Sequence, residues 1–161
     1  MSRTPRGEPV THHRLVGDPD IIHATVARHL AEAGQTYTAN RRAVVAALID
    51  ARGPMTLPAL LVSDSSLAQS SAYRCLAVLE EAGVVTRLTP GSDHAFFELA
   101  EEITGHHHHL VCEACGVVID IVFPPEIEDQ IDRGLTEVSA GIGFAPRRHT
   151  IDIFGRCSRC T

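Results

Sequence analysis

Four of the five cysteines fall in two Cys-x-x-Cys pairs, Cys112 with Cys115 and Cys157 with Cys160. Four consecutive histidines, His106, His107, His108 and His109, end two residues before the first pair. Four thiolates in two such pairs suit one closed tetrahedral zinc site. The histidines lead into a segment that reads as a strand, where alternate side chains point to opposite faces. His106 and His108 then face one way, and His107 and His109 the other. One short segment can serve two metal sites beyond that of the cysteines.

Blander readings of the same residues fail on context. An expression tag is terminal and longer, whereas this run is internal and joined to a cysteine motif. Paired disulfides need an oxidising compartment. The chain shows neither the apolar core of a signal peptide nor a run near the ~20 apolar residues of a membrane span. It is therefore expected in the cytoplasm, where paired Cys-x-x-Cys motifs favour metal. The fifth cysteine, Cys75, lies in a helical stretch far from both pairs and reads as a small packed residue. His12 and His13 read as solvated, and His23 and His29 as structural.

The 161 residues can hold one ordinary domain or two small ones. There is no Lys, all 14 basic residues are Arg, and the net charge is -6. The charge is uneven. Residues 1–89 carry nine Arg and eight acids, while residues 90–161 carry five Arg and twelve acids. Cations collect at the second half, which also holds the His cluster and both Cys pairs; any DNA contact belongs to the first.

The elements that must position these groups can be read along the chain. Residues 1–19 lack an apolar period and read as a flexible tail. A helix follows over 20–33 with Ile22, Val26 and Leu30 on one face, stopped by Gly34. Thr38 caps a second helix to about 51, broken by Gly53-Pro54. Thr56 caps a short third to about 62. Ser70 or Ser71 starts a fourth, ending at Gly83. Strands over 84–88 and 95–99, joined by a turn at 90–93, complete a winged helix-turn-helix over 20–88. Residues 89–105 hold the second wing strand and a linker. Residues 106–161 then show strands at 110–112, 117–122 and 149–154 and a helix at 126–140. The fold class is α+β, a winged helix followed by a small α/β unit with too little core to stand easily alone. That unit is expected to rely on zinc and on a partner subunit.

Together these features resemble the ferric uptake regulator (Fur) family of bacterial metalloregulators. The resemblance rests on Thr38-x-x-Arg41, the helix from Ser71 to Gly83, Phe97-Glu98-Leu99, the His cluster with Cys112-x-x-Cys115-Gly116, and the run from His149 to Phe154 followed by Cys157-x-x-Cys160. It implies an N-terminal DNA-binding domain, a C-terminal dimerisation domain, and three metal sites. Structural zinc would take Cys112, Cys115, Cys157 and Cys160. A regulatory site between the domains would take His107, His109 and Glu98, with Asp120 as a further acid. A site in the dimerisation domain would take His106, His108, Glu128 and His149. Ser71, Tyr73 and Arg74 on the recognition helix, with Arg41 and Arg42, would contact DNA.

The chain departs from the family pattern in places. Pro54 stands where many members have a regulatory histidine, for which His94 is a substitute, while Glu101 and Glu102 stand where zinc-sensing members often have a cysteine; these three are the candidates to complete the regulatory site. No cysteine lies shortly before the His cluster, and Thr36 replaces a lysine that reaches the minor groove. The implied function is a metal-activated repressor, a homodimer on palindromic double-stranded operator DNA, without a membrane and without enzymatic activity. Its regulatory metal would be Fe2+ or Zn2+, with Mn2+ or Ni2+ open. Glu rather than Asp at position 98 weighs against the peroxide-sensing branch. A zinc hydrolase or deaminase is the alternative class, but neither His-Glu-x-x-His nor His-x-Glu with Pro-Cys-x-x-Cys is present.

Overall fold

The structure, a computed structural model, describes residues 17–51, 53–89 and 94–161. Most of the expected tail and the turn at 90–93 lie outside the described residues. Helix α1 (Pro19–Glu32) begins where the Asp18 carboxylate accepts from the Asp20 N–H at 2.9 Å. Its apolar stripe, Ile22, Val26 and Leu30, is buried. Gly34, at φ 67°, ends it, and the Gln35 N–H reaches back to the Leu30 carbonyl. Thr38 caps α2 (Ala39–Asp50) through the Arg41 N–H. Thr56 caps α3 (Leu57–Ser63) through the Ala59 N–H. Helix α4 (Gln69–Glu81) starts one or two residues before the expected serines, and its N-cap, Ala68, offers no side-chain hydrogen bond. It buries Ala72, Cys75, Leu76 and Leu79, so Cys75 is a packed residue.

Strands β2 (Val85–Leu88) and β3 (Phe96–Leu99) pair antiparallel as the wing expectation requires. The structure adds a strand that periodicity could not show, β1 (Met55–Thr56), giving the sheet order β1-β3-β2. Two residues are too few to display alternation. Below this sheet the helices enclose the larger apolar core. The expected linker also contains a single helical turn, α5 (Glu101–Thr104), which packs on α1.

The second sheet is β5-β4-β6, built from β4 (His108–Cys112), β5 (Val118–Ile121) and β6 (Asp152–Gly155). Strand β4 pairs antiparallel with β5 and parallel with β6. Helix α6 (Pro125–Ala140) lies between β5 and β6 in the chain and buries none of its residues. The expected strand over 149–154 is shorter. Pairing with β4 begins at His109 opposite Asp152, and His149 lies before it, outside the strand. Ile127, Leu135, Val138, Ile142, Phe144, Ile153 and Phe154 leave an apolar surface open on α6, β6 and the segment that joins them.

Candidate metal centres and DNA-facing surface

The sulfurs of Cys112, Cys115, Cys157 and Cys160 lie within 4.8 Å of one another. Each Cys-x-x-Cys forms a tight turn. The Gly116 N–H bonds the Cys112 carbonyl at 2.8 Å, and the Cys160 N–H bonds the Cys157 carbonyl at 2.8 Å. Gly116 sits at φ 71°, a conformation that favours glycine, and this turns the first pair back toward β5. The parallel pairing of β6 with β4 carries the second pair to the same end of the sheet. Backbone N–H groups of Cys157 and Cys115 lower the Cys112 thiol to about 6, while its cysteine neighbours push Cys160 up to about 12. The cluster gives up its first proton easily and resists losing its last. Four thiolates at this spacing need a cation among them.

The histidines divide by parity. His107 and His109 reach Glu98 and Asp120, and His106 and His108 reach Glu128 and His149. In the first group one oxygen, Oε2 of Glu98, lies 3.3 Å from His107 Nε2 and 3.2 Å from His109 Nε2. All four side chains are buried. Asp120 Oδ1 stands 3.9 Å from His109 Nε2 and has no hydrogen-bond partner. Burial, with the Glu98 charge adding to it, lifts the Asp120 carboxyl to about 6 against the opposing charges of His107 and His109. Burial also pushes His107 down and Glu98 up and is the largest single effect on each, but the others together outweigh it: the Glu98 and Gly105 hydrogen bonds and the Glu98 and Asp120 charges on His107, and the hydrogen bonds and charges of His107 and His109 on Glu98. His107 rises to about 9 and Glu98 falls below the usual carboxylate range. A proton thus occupies the position a cation would take, and an orphaned carboxylate oxygen waits beside it. The outer nitrogens are already held: His107 Nδ1 by the Gly105 carbonyl at 3.0 Å and His109 Nδ1 by Asp152 at 3.1 Å. Such contacts fix the ring and leave Nε2 to bind metal.

The second histidine group has the same features in a more open setting. His108 Nε2 lies 3.0 Å from Glu128 Oε1, and His149 Nε2 lies 3.4 Å from Glu128 Oε2, itself a buried oxygen without a hydrogen-bond partner. His106 Nε2 is 3.3 Å from His149 Nε2. Asp132 holds His149 Nδ1 at 3.1 Å. His108 Nδ1 accepts from the Ile151 N–H at 3.3 Å, which leaves its proton on Nε2; ligation there requires that proton to move.

The two sheets meet beside the first histidine group. Phe96 and Leu88 of one pack with Val111 and Val118 of the other. A Cβ on Gly53 would lie 2.8 Å from the Val118 carbonyl oxygen, so only glycine fits between α2 and β5. Of the proposed substitutes, Glu101 contacts His106 in the other group, and Glu102 is exposed and bonded to neither. His94 lies in the wing, lining a groove of about 240 Å³ with Tyr73, Glu80 and Arg87.

The sequence model of the Ferric uptake regulator family matches residues 32–154. This chain belongs to the ferric uptake regulator family. It is 28% identical over 136 residues to the peroxide operon regulator of Bacillus subtilis, covering 82% of this chain and 88% of that protein. It is 28% identical over 147 residues to the ferric uptake regulation protein of Campylobacter upsaliensis, covering 88% and 90%. The solved structure of the Helicobacter pylori ferric uptake regulator superposes with a TM-score of 0.71 at 24% identity, covering 92% of this chain and 96% of that one, which shows the shared fold.

In this Fur-family chain α4, the expected recognition helix, presents Tyr73, 62% exposed, and Arg74 to solvent, with Ser71 half-buried beside them. Tyr73 and Arg74 line an open concavity with Leu57, Gln69 and Ser70. Arg41 is turned inward, donating to the Thr36 carbonyl and to Gln35 Oε1. Arg42 is exposed, its guanidinium 4.5 Å above the Tyr37 ring. The Tyr37 hydroxyl in turn is hydrogen-bonded to His23 Nδ1 at 2.6 Å, and burial pushes its phenol up to about 12. Sequence reasoning missed Tyr37, Asp132 and Asp152, which touch the site residues without carrying a recognisable motif of their own.

Proposed function

We propose that this chain is a homodimeric, metal-activated transcriptional repressor that binds palindromic operator DNA to control metal homeostasis. Residues 20–88 form the DNA-binding domain, 89–105 the second wing strand and interdomain linker, and 106–161 the metal-binding dimerisation domain. One observation carries the reading: Glu98, from the wing, shares its Oε2 with two histidines of the following domain. A cation bound there ties the two domains together. Metal must favour one arrangement of the winged helices, and DNA must share that preference. The matched spacing is that of successive major grooves, about 34 Å.

The Cys112, Cys115, Cys157 and Cys160 set would hold structural Zn2+. Glu98, His107, His109 and Asp120 would hold the regulatory metal, Fe2+ or Zn2+, with Mn2+ or Ni2+ also suited to nitrogen and oxygen donors. His106, His108, Glu128 and His149 would hold a third ion in the dimerisation domain. Tyr73, Ser71, Arg74 and Arg42 would meet DNA, and Arg41 would act by fixing the loop before α2. The exposed apolar surface of α6, β6 and their joining segment supports a second copy as the partner. Such a regulator works in the cytoplasm, and no described helix is long and apolar enough to cross a membrane.

The relatives named above include a peroxide regulator and a ferric uptake regulator at the same 28% identity, so identity does not separate the two branches. Glu98 favours metal rather than peroxide as the signal. The test is operator binding by metal-stripped protein, titrated with each metal under buffered anaerobic conditions. Metal-dependent binding to a palindromic duplex is expected; binding that ignores metal would overturn the proposal.

A further inference from the structure

A side-chain contact spans the hinge between the two units. Helix α5 belongs to the first core: Ala100 and Thr104 are buried, Ile103 packs against that core, and the Ala100 N–H bonds the Val84 carbonyl at 2.9 Å. Gly105 follows at φ 88°, and a Cβ there would meet no atom within 4 Å, so this is an open glycine turn. His106 comes next. Its Nδ1 lies 3.2 Å from Oε1 of Glu101, back across that turn. Its other nitrogen points to Glu128 and His149.

Resting on the metal-responsive reading above, we propose that Glu101 is a positioning residue that couples the His106, His108, Glu128 and His149 site to the winged helix across Gly105. A cation on Nε2 of His106 fixes the proton on Nδ1 and makes that N–H a stronger donor. The Glu101 carboxylate accepts it. Loading this site therefore tightens the contact that holds α5 to the histidine run, and α5 is packed on α1. The third site is then linked to the DNA-binding domain by its own route, separate from Glu98. The pair is partly exposed, so its effect is modest and tunes the response set by the buried site.

Hydrogen exchange reads this contact directly. The Gly105 and Thr104 amides bond the Glu101 and Ala100 carbonyls at 2.8 and 3.2 Å, so their exchange reports α5 closure. The experiment uses the full chain and a His107→Ala/His109→Ala background, with Zn2+ as the probe. Zinc should slow exchange at both amides about 1.5- to fivefold in each, the range an exposed pair supplies. Glu101→Ala should remove that slowing while zinc still binds; Glu101→Gln, whose amide oxygen still accepts, should keep part of it. Glu102→Ala, one residue along the same helix turn, should keep all of it. Equal slowing in Glu101→Ala and its parent would overturn the proposal, as would loss in Glu102→Ala. Operator gel shifts on the same wild-type protein report on the repressor reading alone: their failure would sink that reading and leave the exchange result standing.

Discussion

Replacing Glu98 with Gln tests the switch at its narrowest point. Among the four residues of the buried cluster, only Glu98 comes from the wing; His107, His109 and Asp120 all follow the α5 turn. For a metal held in this cluster, interaction free energy that depends on domain orientation must pass through its carboxylate. Coupling between two ligands is typically about 1–3 kcal/mol, so metal should raise operator affinity of the wild type by about 5–150-fold. Gln keeps the volume of a side chain that is 8% exposed, so the metal-free fold should persist. The substitution also removes the partner that holds a proton on His107, which leaves both imidazoles freer to bind metal. The expected outcome is metal binding without coupling: calorimetry still detects the metal, while fluorescence anisotropy of labelled operator shows a metal-induced gain of less than about twofold, far short of the coupled range. If Glu98→Gln keeps the wild-type gain at the wild-type metal concentration, the interdomain cluster is not the switch.

Other perturbations should separate the sites. His107→Ala with His109→Ala should abolish metal-dependent operator binding yet leave a dimer by sedimentation, whereas His149→Ala should weaken the dimer or the response more mildly. Cys157→Ser should lower zinc content and thermal stability together, since metal binding and folding are linked in such sites; unchanged zinc content and melting temperature would refute the four-sulfur assignment. Gly53→Ala must relieve a 2.8 Å approach to the Val118 carbonyl. Overpacking of this kind costs about 1–3 kcal/mol, so metal affinity at the Glu98 cluster should fall by about 5–150-fold while the cysteine-bound zinc stays, as measured by competition with a chelator.

What this sequence determined alone was mostly local. Helix caps at Thr38 and Thr56, the stripe Ile22, Val26 and Leu30, and the stops at Gly34 and Gly83 are set within a few residues, so pattern and structure agree there. The parity of the four histidines is local too, because an extended backbone alternates its faces wherever it is placed. The cysteine pairs announced a shared site because each Cys-x-x-Cys folds into its own turn. The family resemblance supplied the longer reach, such as Glu98 with His107 and His109.

Tertiary structure decided what depends on contacts made far along the chain. His106 and His149 are 43 residues apart, and only the parallel pairing of β6 with β4 brings them together. The same pairing begins at Asp152, which leaves His149 outside the strand and turns Asp152 onto His109. Arg41 and Arg42 are neighbours in sequence, yet one is tied to the loop before α2 and the other lies exposed over Tyr37. Glu101 and Glu102 looked interchangeable; the turn of α5 gives His106 to one and solvent to the other. In each case the residue type stated what chemistry was available, and the surrounding structure, whether strand pairing, the loop before α2 or the turn of α5, determined which partner received it.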